Sequence, residues 1–465
     1  MEAKNKNFLY NAIYQVLVFF IPIVTIPYVS RILGPNNVGV YSYTYSIVNY
    51  FMLVSMLGIS NYGSREIAKS INKVQLSKNF KSIYFLQLFL NVLCLFIYML
   101  FLFFYNYEYK KILIIQGLFL ISVAFDINWF FFGREKFKLT ISRNLIIKIL
   151  SLVCVFLFVK SSHDLWKYTL IMSGSTLISQ IYLCFFIKTE INFNEKIKIS
   201  DITKHIKPSL VLFIPVVSYS IYRVMDKTMI GAIAGTVDLG NYESAEKIIN
   251  IPISFVTALG TVMMPHMSKK AQGEIKSSII DTFRLTFFIV LPMSVGLCVV
   301  AHDFSTMFFG ESFDKVGNIL RFLVVSIVFS SIANVIRTNY LIPLKKDDIY
   351  VKSTVVGAIV NLVSNIIFIR LYGAYGACIG TVLAEFLVMF YQVVKTKKEL
   401  DYSVYLKVFY QYLLKSLFMG VIVFITGFLI ENILIKFIIQ ISLGAVIYAL
   451  LNIKYIKDFF GIRKV

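Results

Sequence analysis

The chain has 465 residues, 58% of them hydrophobic and 15% charged, with a formal net charge of +21. At a mean hydropathy of +0.75 it lacks the polar surface that a soluble protein of this length needs, which excludes that class and indicates an integral membrane protein. The basic excess does not point to a nucleic-acid partner. The lysines and arginines concentrate in alternate segments between apolar stretches, the positive-inside pattern, with some affinity for anionic membrane lipids.

About 20 apolar residues are needed to cross the hydrocarbon core as a helix. That length predicts about fourteen spans, at roughly 8–30, 38–62, 83–105, 112–132, 139–159, 168–187, 208–234, 240–264, 284–302, 316–336, 350–370, 373–394, 408–430 and 435–453. The start, Met1-Glu-Ala-Lys-Asn-Lys-Asn, is short and cationic, and no small-residue cleavage site follows the first span, so it reads as a retained first helix. With this end inside, the segments predicted to lie inside are basic one after another. Residues 63–82 hold Arg65, Lys69, Lys73, Lys78 and Lys81, and residues 188–207 hold Lys188, Lys196, Lys198, Lys204 and Lys207. The outside loops, such as 31–38 and 234–240, are short and nearly uncharged. An even number of spans places the C-terminus, with Lys454, Lys457, Arg463 and Lys464, inside as well. All five cysteines fall in apolar spans without paired or metal-type spacing and read as small core residues.

The longest polar segment, 188–207, separates two related halves. Ile32, Gly34, Gly39, Tyr41, Ile47 and Asn49 match Ile233, Gly235, Gly240, Tyr242, Ile248 and Asn250 at a constant spacing of 201 residues. A repeat after an even number of helices keeps its orientation, so the halves should relate about an axis along the membrane normal. The expected division is a first lobe over 1–195, a second over 196–398, and a two-helix appendage with a basic tail over 399–465.

Residues 207–251 concentrate the anomalies. Arg223, Asp226 and Lys227 lie on span 7, and Glu243, Glu246 and Lys247 on span 8. A charge at the bilayer centre costs roughly 2.5–3.5 kcal/mol even on lenient insertion scales, so such groups face water or one another.

Several stretches resemble one family. Arg31-Ile-Leu-Gly-Pro-Asn-Asn-Val-Gly-Val-Tyr-Ser42 and Leu57-Gly-Ile-Ser-Asn-Tyr-Gly-Ser-Arg-Glu-Ile-Ala-Lys69 resemble the Wzx-type polysaccharide repeat-unit flippases. Phe125-Asp-Ile-Asn-Trp-Phe-Phe-Phe-Gly-Arg-Glu-Lys136, Met307-Phe-Phe-Gly-Glu-Ser-Phe313 and Tyr372-Gly-Ala-Tyr-Gly-Ala-Cys-Ile-Gly-Thr-Val-Leu-Ala-Glu385 look like later signatures of the same family. The resemblance covers spans 1–12. It implies the multidrug/oligosaccharidyl-lipid/polysaccharide exporter superfamily, with an all-α integral membrane fold of two six-helix lobes around a V-shaped central cavity. It further implies an oligosaccharide substrate on an undecaprenyl pyrophosphate carrier and no cofactor beyond proton or sodium coupling.

A flippase must carry a pyrophosphate past hydrocarbon, and cations in a wet cavity lower that cost, arginine by bidentate contact and lysine as a point charge. Arg223 and Lys227, four residues apart, share a helix face close to Asp226. They can handle substrate, or pair structurally with Glu243 or Glu246, and the two readings are compatible. Lys247 and Arg321 are further candidates, although Arg321 is near enough to a loop to snorkel. Arg31 reads as a cavity cation or an interfacial anchor. In the first lobe Asp126 and Arg143 can pair with each other, whereas Lys148 lies deeper and is a candidate contact. Glu385 stands mid-span with no basic neighbour in sequence. It is either a proton or sodium site, since burial disfavours a bare negative charge, or a hydrogen-bonded structural residue. Asn49 and Asn250 can bond sugars or tie helices. Pro22, Pro27 and Pro215 permit hinge bends.

No Walker loop, HExxH or CxxC motif is present, so the expectation is a transporter rather than an enzyme. The reading is a flippase of the bacterial cytoplasmic membrane that moves a lipid-linked repeat unit outward for capsule or O-antigen type biosynthesis. A polysaccharide polymerase and glycosyltransferases are its expected protein partners. Two alternatives stand. One is another exporter of the superfamily, for lipid II or for drugs with cation antiport. The other is a membrane polymerase, a class that usually carries a long basic outward loop, where here the longest, about 303–315, is short and holds only Lys315.

Overall fold

A computed structural model describes the backbone of residues 2–105, 108–268 and 272–459; side chains 2–20, 22, 214–219, 221–223, 261–268, 272–277 and 459 lie outside the described residues. The described chain is helical throughout, with no strand. Ten of its helices are long and apolar enough to cross a membrane, and they coincide with expected spans 3–6 and 9–14. The other four expected spans lie on α1, which the second of them leaves to enter α2, and on α9 and α10, whose bounds follow.

The residues form two compact units, Met1–Gly231 and Ala232–Val465. The first contains α1 Glu2–Met56, α2 Ile59–Ala68, α3 Lys73–Phe104, α4 Lys110–Ala124, α5 Asn128–Gly133, α6 Phe137–Phe158, α7 Leu165–Glu190 and α8 Ile199–Thr203, and nearly all of α9, Ile206–Ile233. The expected loop at 31–38 contracts to one break inside α1, at Gly34 (φ 74°, ψ 169°). Only glycine enters that region without strain. In the first unit, α9 packs on α1: Ser46 Oγ lies 2.9 Å from Thr228 Oγ1, and Thr228 donates to Tyr50 Oη at 3.3 Å. This cut at Gly231 follows packing, whereas the one drawn at residue 195 followed the repeat.

The family stretches 57–69 and 125–136 pack on each other. A Cβ on Gly63 of α2 would meet the Trp129 ring at 2.6 Å, and one on Gly133 would meet Ser64 O at 2.6 Å. The chain unwinds between α4 and α5, freeing backbone carbonyls inside an apolar layer where each needs a partner. Gln87 of α3 supplies it, donating to Val123 O (2.6 Å) and Asp126 O (3.0 Å) while accepting from Trp129 Nε1 (2.9 Å). Asn91, one turn on, donates to Leu120 O at 2.9 Å.

The polar segment before α9 is held to the same unit. Asn192 N donates to Ser77 Oγ at 2.8 Å, Lys81 donates to the carbonyls of Phe193 and Glu195, and His205 is buried with Nδ1 2.5 Å from Tyr62 Oη and Nε2 2.9 Å from Ser82 Oγ. Burial, reinforced by Lys204 and opposed by Asp201, pushes the His205 pKa down from 6.5 to about 4. The folded state therefore resists a proton that the unfolded chain accepts. The stabilisation is complete above about pH 6.5 and is lost as pH falls from there towards 4. Melting temperatures between pH 7.5 and 5 should drop more steeply in the wild type than in His205→Asn, and parallel slopes would contradict this.

The second unit holds α10 Thr236–Ser268, α11 Gln272–Phe309, α12 Val316–Ile336, α13 Asp347–Tyr372, α14 Ala374–Thr396, α15 Tyr402–Phe428, α16 Ile433–Leu451 and α17 Ile453–Phe459. It repeats local devices of the first. Gly235, like Gly34, has positive φ (91°) immediately before its helix. Glu135 (φ 56°) and Lys345 (φ 55°) are left-handed at matching places, each followed by a lysine that closes the far end of a helix pair. Lys136 pairs with Glu190, and Lys346 pairs with Glu399. Asn37 Nδ2 donates to Ser162 O at 2.8 Å; its counterpart Asp238 accepts from Ala374 N at 3.1 Å and pairs with Lys315 at 2.6 Å. The appended α15 and α16 pack on α11, where Lys436 pairs with Asp303 at 2.5 Å and the Phe288, Tyr412 and Tyr448 rings cluster.

Candidate functional site

In the first unit Asp226 of α9 is buried, and Lys227 beside it is half-buried. The Arg223 side chain lies outside the described residues, as do those of Pro22 and Pro215. Arg31 is exposed near the Gly34 break, Asn49 is half-buried, and α1 stays helical through Pro27, its non-helical backbone being at Gly34.

Asp126 and Arg143 come together through an intermediary, Asn128. Asp126 Oδ1 accepts from Asn128 N (3.1 Å) and Nδ2 (2.7 Å), while Arg143 Nη2 donates to Asn128 Oδ1 at 3.0 Å. Arg143, only 4% exposed in the middle of α5, α6 and α7, also donates to Asn144 Oδ1 (2.7 Å), Ser179 O (3.0 Å) and Gln180 Oε1 (3.3 Å). Lys148, one turn along α6 from Asn144, is exposed. The sequence flags Arg143 only as an ion-pair partner; Asn128, Asn144 and Gln180 carry no charge to mark them and join it only once three helices pack.

In the second unit, Lys247 pairs with Glu243 one turn away at 3.5 Å, so this cation is already partly compensated. Arg321 is exposed, with Nε donating to Cys298 O at 3.3 Å. Tyr242 Oη lies 3.0 Å from Thr381 Oγ1 and joins α10 to α14. Four residues beyond each of these stand Glu246 and Glu385, both half-buried, as is Asn250. Residues four apart share a helix face, and spans 8 and 12 of an alternating series run in the same direction. The register therefore places the two carboxylates at one depth.

A family model described as "Polysaccharide biosynthesis protein" matches residues 5–271, more than half of the chain. The chain belongs to this polysaccharide biosynthesis family. Among curated relatives, this family member is 24% identical over 387 residues to a "Putative O-antigen transporter" of Shigella dysenteriae, covering 82% of the chain and 96% of the relative. It is 26% identical over 246 residues to the "Probable low-salt glycan biosynthesis flippase Agl15" of Haloferax volcanii, covering 50% of each. Among solved structures, the lipid II flippase MurJ in an inward closed conformation superposes with a TM-score of 0.78 at 17% identity, covering 97% of the chain and all of that structure. An inward-facing multidrug MATE transporter superposes with a TM-score of 0.61 at 13% identity, covering 81% and 94%. The fold is that of these membrane transporters.

Proposed function

We propose that this family member is a flippase that moves an oligosaccharide on an undecaprenyl pyrophosphate carrier from the inner to the outer leaflet of the bacterial cytoplasmic membrane by alternating access. The observation that carries the reading is the near end-to-end match to a relative named as an O-antigen transporter, on a MurJ-like fold. The ionisable groups held inside apolar helices agree with it, since hydrocarbon tolerates them only where a polar cargo or water passes. In this reading Arg223, Lys227, Lys247, Arg31, Arg321 and Lys148 attract the phosphates, and Asn49 and Asn250 bond sugars. Asp226, Glu243 and Asp126 moderate their basic neighbours. Glu246 and Glu385 form the proton- or sodium-coupling pair, Pro22, Pro27 and Pro215 assist bending, and both termini are cytoplasmic. A polysaccharide polymerase and glycosyltransferases act before and after it.

The test is the leaflet on which lipid-linked units collect in cells depleted of the protein, read with a membrane-impermeant glycosidase before and after permeabilisation. Single units protected until permeabilisation are expected. Unpolymerised units exposed on the outer leaflet would overturn the reading in favour of a polymerase. Export of lipid II is a second reading, favoured by the MurJ superposition, and its signature is accumulation of lipid II instead.

A further inference from the structure

The polar cluster on α5, α6 and α7 is built so that its free hydrogens point one way. A guanidinium only donates hydrogen bonds, so the amide oxygens of Asn128, Asn144 and Gln180 must all face Arg143. Asn128 then spends its NH2 group on Asp126 Oδ1 (2.7 Å) and Gln180 Oε1 (3.1 Å). Asn144 and Gln180 spend theirs on no protein acceptor among the described residues, and both side chains are half-exposed, so their NH2 groups turn outward. Lys148, exposed and one turn along α6 from Asn144, adds an ammonium without a protein partner among the described residues.

The cluster lies away from the main apolar stripe of the helix. Ile146, Ile149, Leu150, Val153 and Leu157 form the exposed apolar stripe of α6. At about 100° per residue, Asn144 and Lys148 fall on roughly the opposite side. Arg143 is buried and spent on the amide oxygens, so the charge exposed on the row is that of Lys148. Two fixed amide donors and an ammonium, with no acceptor among them, complement an anion rich in oxygen acceptors.

We propose that Asn144, Lys148 and Gln180 bind a phosphate oxyanion carried by a lipid, with Arg143 as the positioning residue that orients both amides. On the flippase reading, which supplies only the ligand's identity, this oxyanion is the pyrophosphate of the lipid-linked glycan. The row runs from Asn144, on the Lys136 and Lys138 side of α6 that the charge pattern assigns to the cytoplasm, to Lys148 at the middle of the helix, so it would receive cargo on loading.

The full-length protein in detergent would be titrated with undecaprenyl diphosphate and, separately, with phosphatidylglycerol, and complexes counted by mass spectrometry of the intact assembly. Gln180→Glu keeps the oxygen that Arg143 and Asn128 need and replaces only the outward donor, so the fold should persist while binding weakens. Lys148→Gln removes the charge from an exposed position. Each is expected to weaken binding about tenfold or more, and Lys148→Arg to restore it. Lys454→Gln, far along the chain, should change nothing. Loss confined to undecaprenyl diphosphate identifies cargo; loss confined to phosphatidylglycerol identifies a membrane headgroup and removes support from the cargo reading while keeping the site. Wild-type affinity in both Gln180→Glu and Lys148→Gln overturns the site and leaves the flippase reading standing. If Gln180→Glu does not fold, Lys148→Gln decides alone.

Discussion

Trp129→Ala is expected to be among the most destabilising single replacements in the first unit. The indole is fully buried, stacks on Phe80 at 5.5 Å between centroids, and lies against Gly63. Truncating a buried tryptophan costs about 3–5 kcal/mol for lost burial and cavity. The change also strips Gln87 Oε1 of its donor beside the break that Gln87 holds together. Trp129→Phe keeps most of the packing and loses only the indole N–H bond, at about 1–3 kcal/mol for the acceptor left buried. The expected order of melting temperatures in detergent is wild type, Trp129→Phe, Trp129→Ala. Equal melting of the two variants would show that the bond, not the packing, holds this node.

Glu385→Gln is expected to leave cargo binding intact while sharply reducing the response of transport to an imposed ion gradient. The Tyr242–Thr381 contact sets α10 against α14, and one turn further each helix presents a carboxylate at the same depth, Glu246 and Glu385. On the coupling role proposed for these two residues, a proton or cation taken up there changes the charge held inside the apolar layer and so biases the change of state. Coupling free energies between sites run about 1–3 kcal/mol, or roughly 5–150-fold, and stimulation by a proton or sodium gradient in proteoliposomes should fall by that factor. Glu246→Gln should act in the same direction. Undiminished stimulation in both variants would remove these carboxylates from the coupling role.

Of the repeat expected from the sequence, the positions that demand a particular residue recur as local geometry. Gly34 and Gly235 recur because few other side chains adopt their backbone angles, and the same spacing reappears as positive φ in the structure. Other symmetric features left almost no trace. Asn37 and Asp238 differ in charge and in the bonds they make, the one donating and the other accepting, and Glu135 and Lys345 differ in sign although both are left-handed. The stretch around Trp129 marks the family in the sequence, and the structure uses it as a joint, where Gln87 satisfies the carbonyls of a broken helix. Gln87 is one polar residue in a long apolar span, and nothing in the sequence names its partners 36 and 39 residues away.

The sequence by itself determined the class, most of the spans and the family, because a hydrocarbon layer of fixed thickness imposes a length and an apolar composition that single-residue patterns report. Only the tertiary structure decided that Tyr242 joins α10 to Thr381 of α14, that α9 packs with the first unit, and that Arg143 turns two uncharged amides into outward donors. Those outcomes depend on hydrogen bonds and close contacts between helices. Such contacts are directional and short-ranged, and they exist only once the helices have settled against one another.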